Sequence, residues 1–289
     1  MHLLDFIESH PLLCPAVEQL RAGSTIHWSG APSPSWAALA AALQRRTQRT
    51  LLLIAPNSEL AEHCLNDLAA MLETSDEAAP GVLEFPIPDR AALDEGATGD
   101  SHATQRRLAT LDALHRDQPV IVVAPASALA HPTLPPDELR HGYDTLEVGQ
   151  TLEQEKFVAH LAETGYERVE QVETPGQFAV RGGLIDFYPP ATGIPLRLEL
   201  FGDEIDSLRH FDIESQRSTE QVQSIRLTPP RENYLTPKRG REIAATLRQL
   251  LQEQTAVLRT EGRDKEADLL NKRIEKDIAN LESAAYFPG

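Results

Sequence analysis

Two short apolar runs stand out in the first half of the chain, Thr50–Ala55 (TLLLIA) and Pro119–Ala124 (PVIVVA), and a proline follows each. A strand buried on both faces carries this pattern, because both sides of its pleat must be apolar, and such strands are usually parallel. Between the runs, Leu60, Cys64, Leu68 and Leu72 recur every fourth residue. That spacing predicts a helix over 58–72, with Ser58 as its N-cap. A further helix is expected over 103–115, where Leu108, Leu111 and Leu114 form the apolar stripe and Arg106 and Arg107 fall outside it. Residues 85–101 are rich in Pro, Asp and Gly and read as a loop. Strand, helix, strand in that order makes the first 143 residues an α/β layer.

Near Asp144 the period changes. A short strand within 144–152 precedes a helix that runs to about Glu163, opened by Thr151 and Gln154 as a capping box and closed by Gly165. Alternation of period two then marks 177–188, 196–201, 205–211 and 222–227, an antiparallel meander. Gly182-Gly183 suggests a bulge or a close backbone approach, and Gly202-Asp203 a tight hairpin turn. Residues 144–229 therefore read as a small α+β domain. Beyond it, Ile243, Leu247, Leu250, Leu251 and Leu258 stripe a helix starting at Thr236-Pro237. Leu270, Ile274, Ile278 and Leu281 stripe a second one over about 264–283. The pair is expected to pack on the first sheet or to stand out as a coiled-coil arm.

Charge restricts the chemistry. The 289 residues carry a net charge of −17, and residues 1–143 hold 9 Arg and no Lys against 18 acids. Phosphate backbones are bound chiefly by Lys and Arg that displace counterions, so this balance argues against unaided DNA binding. Lys156 is the only Lys before Lys238, which denies the first layer a phosphate-binding lysine. Gly30–Ala37 (GAPSPSWA) matches the outline GxxxxGK[ST] at Gly30 only. Ser35 stands in place of the second Gly, Trp36 in place of Lys, and Ala37 in place of the magnesium-binding hydroxyl. It is either a degenerate nucleotide loop or an ordinary turn entering a helix over 36–44, and neither supports ATP turnover.

Cys14 and Cys64 make no disulfide framework and point to reduced thiols in a cytoplasm. The ten His show no metal-ligand spacing, Ser24, Ser29 and Ser127 lie outside any GxSxG context, and Asp203, Glu204 and Asp206 read as a solvated hairpin tip. No apolar run approaches the roughly 18–20 residues of a membrane span, and the N-terminal residues show no secretory leader.

The string QFAVRGGLIDFYPP, followed by PLRLELFGDEIDSLRHFDIESQRS, resembles the second domain of the UvrB homology module of bacterial nucleotide excision repair. Two families carry it, UvrB and the transcription-repair coupling factors (Mfd). A UvrB would need an intact nucleotide loop and a tyrosine-rich hairpin, whereas this chain has Ser35-Trp36-Ala37 and no Tyr before Tyr143. It therefore looks like the N-terminal module of a coupling factor, over roughly residues 25–289, and a piece of a longer protein. The resemblance implies a degenerate P-loop NTPase-like (RecA-like) layer in 1–143, an inserted UvrB domain 2-like α+β domain in 144–229, and a helical segment in 230–289 that returns to the first domain.

The function implied is recruitment of UvrA, which links stalled RNA polymerase to repair without catalysis in this stretch. The alternative is part of a UvrB-type ATP-dependent repair enzyme. No cofactor is expected here, since ATP and Mg belong to the family's motor domains, and RNA polymerase and DNA are met through other regions. By the resemblance UvrA docks on Arg181, Arg197 and Phe201. Period two sets Arg197, Glu199 and Phe201 opposite the leucines at 196, 198 and 200. An outward Phe beside arginines suits an interface. The other arrangement covers Phe201 with a loop and pairs the arginines with Glu199 or Asp186. The facing of Arg181, next to Gly182-Gly183, stays open.

Overall fold

The computed structural model describes residues 3–11, 13–32, 34–73, 81–88, 102–133, 135–232 and 237–282. The chain divides into two compact units, one of Met1–Asp89 with His102–Thr133, the other of Arg90–Ser101 with Leu134–Gly289.

In the first unit, α1 (Leu3–Glu8), α2 (Leu13–Arg21) and α3 (Pro34–Thr47) precede β1 (Leu51–Ala55), α4 (Ser58–Glu73), β2 (Gly81–Glu84), α5 (His102–His115) and β3 (Val120–Pro125). The strands form a parallel sheet in the order β1-β3-β2, and central β3 is buried along its whole length. Both expected strands form, but only β3 is buried on both faces: β1, at the edge of the sheet, leaves Leu52 and Ile54 exposed. Strand β2 escaped the sequence pattern because four residues (GVLE) are too few to show a period. Of the expected loop over 85–101, residues 89–101 lie outside the described residues. Helices α3 and α4 bury Ala37, Ala41, Cys64 and Leu68 on one face against Ile121 and Val123, and α5 sets Ala113 against Val120 and Val122 on the other.

Two local expectations are corrected. The N-cap of α4 is Asn57, whose Oδ1 accepts the Leu60 N–H at 2.9 Å, and Ser58 is the first helical residue. Asn and Ser cap almost equally well, so their order alone could not decide. Arg107 is fully buried, while Leu114 is exposed. Its guanidinium lies 3.8 Å from the centroid of the Phe85 ring and donates to the Pro86 carbonyl at 2.7 Å. A ring face and a carbonyl let a long cationic side chain take a leucine's place in the seam.

The second unit begins with α6 (Pro136–Arg140), β4 (Asp144–Glu147) and α7 (Gln154–Glu163). It continues through β5 (Glu167–Arg168), β6 (Gln177–Arg181), β7 (Leu184–Phe187), β8 (Leu196–Phe201), β9 (Glu204–Phe211), β10 (Ser218–Val222) and β11 (Ser224–Leu227). Strands β5 to β10 form one sheet in the order β10-β9-β8-β7-β6-β5, antiparallel except for the β5–β6 pair, and β4 pairs with β11 in a separate ribbon. The antiparallel meander forms, with β8 and β9 as expected and the run 177–188 divided into β6 and β7. The run 222–227 divides, with Val222 ending β10 and Ser224–Leu227 leaving the sheet.

Gly182-Gly183 is the turn of a hairpin rather than a bulge, and the close approach is real. Gly182 has φ +62°, and a Cβ on Gly183 would lie 2.9 Å from the Leu200 carbonyl oxygen. The capping box does not form. Glu153 is the N-cap of α7 without a side-chain bond, and Gln154 instead donates to the Gly182 carbonyl at 2.7 Å, tying α7 to that turn. Helix α7 lays Phe157 and Leu161 on the inner face of the sheet, against Phe178, Ile185, Phe187 and Leu198. Tyr166 closes this core by donating its hydroxyl to the Thr228 carbonyl at 2.7 Å, and burial drives its phenol well above the usual range.

Helices α8 (Pro237–Thr260) and α9 (Asp264–Glu282) form a hairpin through Gly262, at φ +73°. Ala244, Leu251, Ile278 and Leu281 pack between them, and Arg248 clasps Glu282 through two bonds of 2.6 and 2.7 Å. Pro237 is the first helical residue, as expected, and Thr236 lies outside the described residues. Among the described residues no helix is long and apolar enough to cross a membrane.

Candidate functional site

Residues directly opposite one another on antiparallel strands point to the same side. One row across the sheet therefore holds Ala179, Asp186, Arg197 and Arg209, and the next holds Arg181, Leu184, Glu199 and Ser207. Phe201 lies beyond them, opposite Glu204. Arg181, Arg197 and Phe201 thus share the face turned away from α7, which fixes the facing of Arg181. Their surroundings differ sharply.

Phe201 is 84% exposed at the end of β8, beside the Gly202-Asp203 turn. The register slips by one residue between Glu199 and Leu200. This keeps Leu200 and Ile205 in the core while Phe201 stays outside. Arg181 is also exposed, and its Nη2 donates to the Glu170 carbonyl at 3.2 Å.

Arg197 is clamped. Its Nε and Nη2 donate to the two carboxylate oxygens of Asp186 at 2.7 and 2.9 Å, and Nη1 reaches the Gln216 carbonyl at 3.1 Å and the Ser218 hydroxyl at 3.3 Å. The guanidinium also stands over the Phe211 ring, 4.9 Å from its centroid. Only 16% of the Arg197 side chain and 4% of that of Asp186 reach solvent. The hydrogen bond to Asp186 raises the guanidinium pKa still further above its ordinary value. Arg197 has therefore taken the cross-strand pairing that the sequence left open, with Asp186 as partner. Glu199 instead accepts a bond from the Ser207 hydroxyl at 3.3 Å.

The loop between β9 and β10 supplies the other half of the clamp. Asp212 accepts the Ser215 N–H at 2.8 Å and its hydroxyl at 2.6 Å, which lowers the Asp212 pKa. Gln216 then takes φ +56°, a left-handed conformation costing a side-chain-bearing residue about 1–2 kcal/mol. Its amide donates to the Ile213 and Val172 carbonyls at 2.8 and 3.2 Å. So held, it presents its own carbonyl to Arg197. Val172, Ala179 and Phe211 form a small apolar cluster over this end of the face. Ser215-Gln216-Arg217-Ser218 is a polar turn, as the sequence indicated, but its clamping of Arg197 was invisible there because the contact spans 19 residues.

The loop of Gly30–Ala37 has a different setting. Gly30 has φ +80°, residues 24–32 form no helix or strand, and Ser35, Trp36 and Ala37 belong to the first turn of α3, with Ala37 fully buried. Beside it lies a cavity of about 610 Å³, walled by Phe6, Leu13, Trp28 and Leu39 together with Gly30 and Ser35. Among its described lining residues there is no Lys or Arg. Cys14 is exposed, Cys64 is buried, and both are free thiols. Among the described residues no His, Cys, Asp and Glu side chains gather in a group of three suited to a metal ion.

A family model, the UvrB interaction domain, matches residues 145–233. A transcription-repair-coupling factor from Bacillus subtilis (strain 168) is 32% identical over 241 residues, 83% of this chain and 20% of that protein. One from Staphylococcus aureus (strain USA300) is 30% identical over 191 residues, 66% of this chain and 16% of its own length. The UvrABC system protein B of Thermosipho africanus is 29% identical over 245 residues, 82% of this chain and 37% of that protein. The chain thus spans well under two thirds of each relative.

The clamp carries a stability prediction. Arg197→Ala leaves the Asp186 carboxylate buried without its cation, and breaking a buried pair from one side costs about 3–5 kcal/mol. Urea denaturation followed by circular dichroism is expected to show a loss of about 3 kcal/mol in this variant. Phe201→Ala, at an exposed site, is expected to stay within about 0.5 kcal/mol of the parent. An Arg197→Ala variant as stable as the parent would contradict the clamp.

Proposed function

The chain carries a UvrB interaction domain at residues 145–233 and is homologous over most of its length to transcription-repair-coupling factors and to UvrABC system protein B; on that premise we propose that it is the UvrA-recruiting N-terminal module of a coupling factor. In this reading it is a protein-binding adaptor with no catalysis of its own. The regions that meet RNA polymerase and DNA, and the motor that uses ATP and Mg, belong to the longer cytoplasmic protein.

Phe201 is the observation that carries the proposal. A large aromatic side chain exposed on a sheet face has no role in the core, while burying it against a partner gains about 1.5–3 kcal/mol. Arg181 shares that face and is exposed as well. Exposed aromatic and arginine side chains dominate binding energy at protein interfaces. Arg197 contributes in a different way. Four of the five guanidinium N–H groups go to Asp186, Gln216 and Ser218, leaving one for a partner. Its main part is to fix the shape of the face.

Two features of the first unit favour the adaptor over an ATP-dependent enzyme. The loop of Gly30, Ser35, Trp36 and Ala37 has no lysine, Ala37 stands where the motif's magnesium-binding hydroxyl would be, and the cavity beside it is walled mainly by apolar groups. A nucleotide triphosphate placed there would leave its phosphates without a cation. Titration of the chain with a fluorescent ATP analogue and magnesium is expected to show no saturable binding below 100 μM, which corresponds to about −5.5 kcal/mol. A tighter dissociation constant would restore the enzyme reading.

Recruitment itself is tested by calorimetric titration of UvrA with this chain and with Phe201→Ala. The parent is expected to bind. The variant should lose about 2 kcal/mol, some thirtyfold in affinity, with an unchanged melting temperature. A parent that fails to bind, or a variant that binds equally well, would place the recruitment surface elsewhere.

A further inference from the structure

We infer that Arg209 is a further partner-contacting residue of this face, and that it receives a carboxylate from the docked protein. The inference rests on the recruitment reading above and adds a residue to it.

Arg209 stands directly opposite Arg197 on the neighbouring strand, on the same side of the sheet. Residues so paired have Cβ atoms about 4.5–5.5 Å apart, and like charges in that position repel. Arg197 is neutralised from its other side, because Asp186 spends both oxygens on it. Arg209 has no such relief. Across from it on β10 lies the neutral Gln221. Glu199, one row away, is engaged by the Ser207 hydroxyl. Among the described residues the Arg209 side chain makes no ion pair and no hydrogen bond. It is nonetheless half-buried, so its charge is only partly hydrated.

The surroundings sharpen the point. Residues 144–229 hold 7 basic against 16 acidic side chains, yet the row of Ala179, Asp186, Arg197, Arg209 and Gln221 sets two Arg against one Asp. The fold thus holds a locally positive spot within an acidic domain, at the cost of a like-charge contact. Such a spot attracts an anionic group, while the acidic surface around it repels wrongly placed ones. Arg209 lies beside Arg197, about 13 Å along the sheet from Phe201, a span that one interface of ordinary size covers easily. A carboxylate reaching Arg209 gains a charge-assisted bond and relieves the repulsion between the two guanidiniums.

The test compares Arg209→Ala, Arg209→Lys, Arg209→Glu and Phe201→Ala for UvrA affinity and melting temperature, with titrations at two salt concentrations. Arg209→Ala is expected to weaken binding at least tenfold, to reduce its salt dependence, and to melt at or above the parent temperature because a repulsive contact is gone. Arg209→Lys should recover part of the loss, and Arg209→Glu should deepen it. If Phe201→Ala loses affinity while Arg209→Ala binds like the parent, the inference is wrong and the recruitment reading stands. If Arg209→Ala binds weakly only because it melts several degrees lower, Arg209 is structural and the inference is equally wrong. Should the parent itself fail to bind UvrA, the recruitment reading fails and the inference falls with it.

Discussion

The outward face of the six-stranded sheet depends on one ion pair. Asp186 is a nearly buried carboxylate on β7, a position that would be strongly unfavourable unless both of its oxygens were satisfied. Arg197, directly across on β8, satisfies them with a bidentate fork. What remains of the guanidinium reaches the Gln216 carbonyl and the Ser218 hydroxyl, so strands β7, β8 and β10 and the intervening loop are tied at a single point. Such a pair adds little net stability against an apolar replacement. Its effect is geometric: with two strands and a loop fixed to one planar group, the face has a single shape to present.

The two faces of the sheet divide the work. The inner one is an apolar core under α7, completed by the buried Tyr166 hydroxyl. The outer one carries the apolar cluster of Val172, Ala179 and Phe211 and is open toward Phe201. Two tight turns, at Gly182-Gly183 and Gly202-Asp203, bound that open end. The first must be glycine at 183, since any Cβ would strike the Leu200 carbonyl. Rigid hairpins therefore support Phe201, which lowers the ordering cost of an exposed aromatic on binding.

Much of this was legible in the sequence, and what was not has definable causes. Alternation over 196–201 places the leucines inside and Phe201 outside, because period two depends only on the strand itself. Runs of apolar residues likewise locate β1 and β3. Two adjacent glycines suit a bulge and a turn equally well, so only the pairing of β6 with β7 decides. The clamp on Arg197 requires knowing that Asp186 is its cross-strand partner, and this register is set by the connection over 188–195. The left-handed Gln216 and the buried Arg107 are held by contacts distant in sequence, to Val172 and to Phe85. The repulsive pairing of Arg197 with Arg209 emerges in the same way, from register rather than from composition.

The central claim is that the open end of this face is where the chain meets its partner. Hydrogen exchange followed by mass spectrometry, on the chain alone and bound to UvrA, tests it most directly. The account predicts slowed exchange in peptides spanning 181–184 and 199–204, with α8 and α9 unchanged. Protection centred on α8 and α9, or on the first unit, with both turns exchanging as in the free chain, would contradict it.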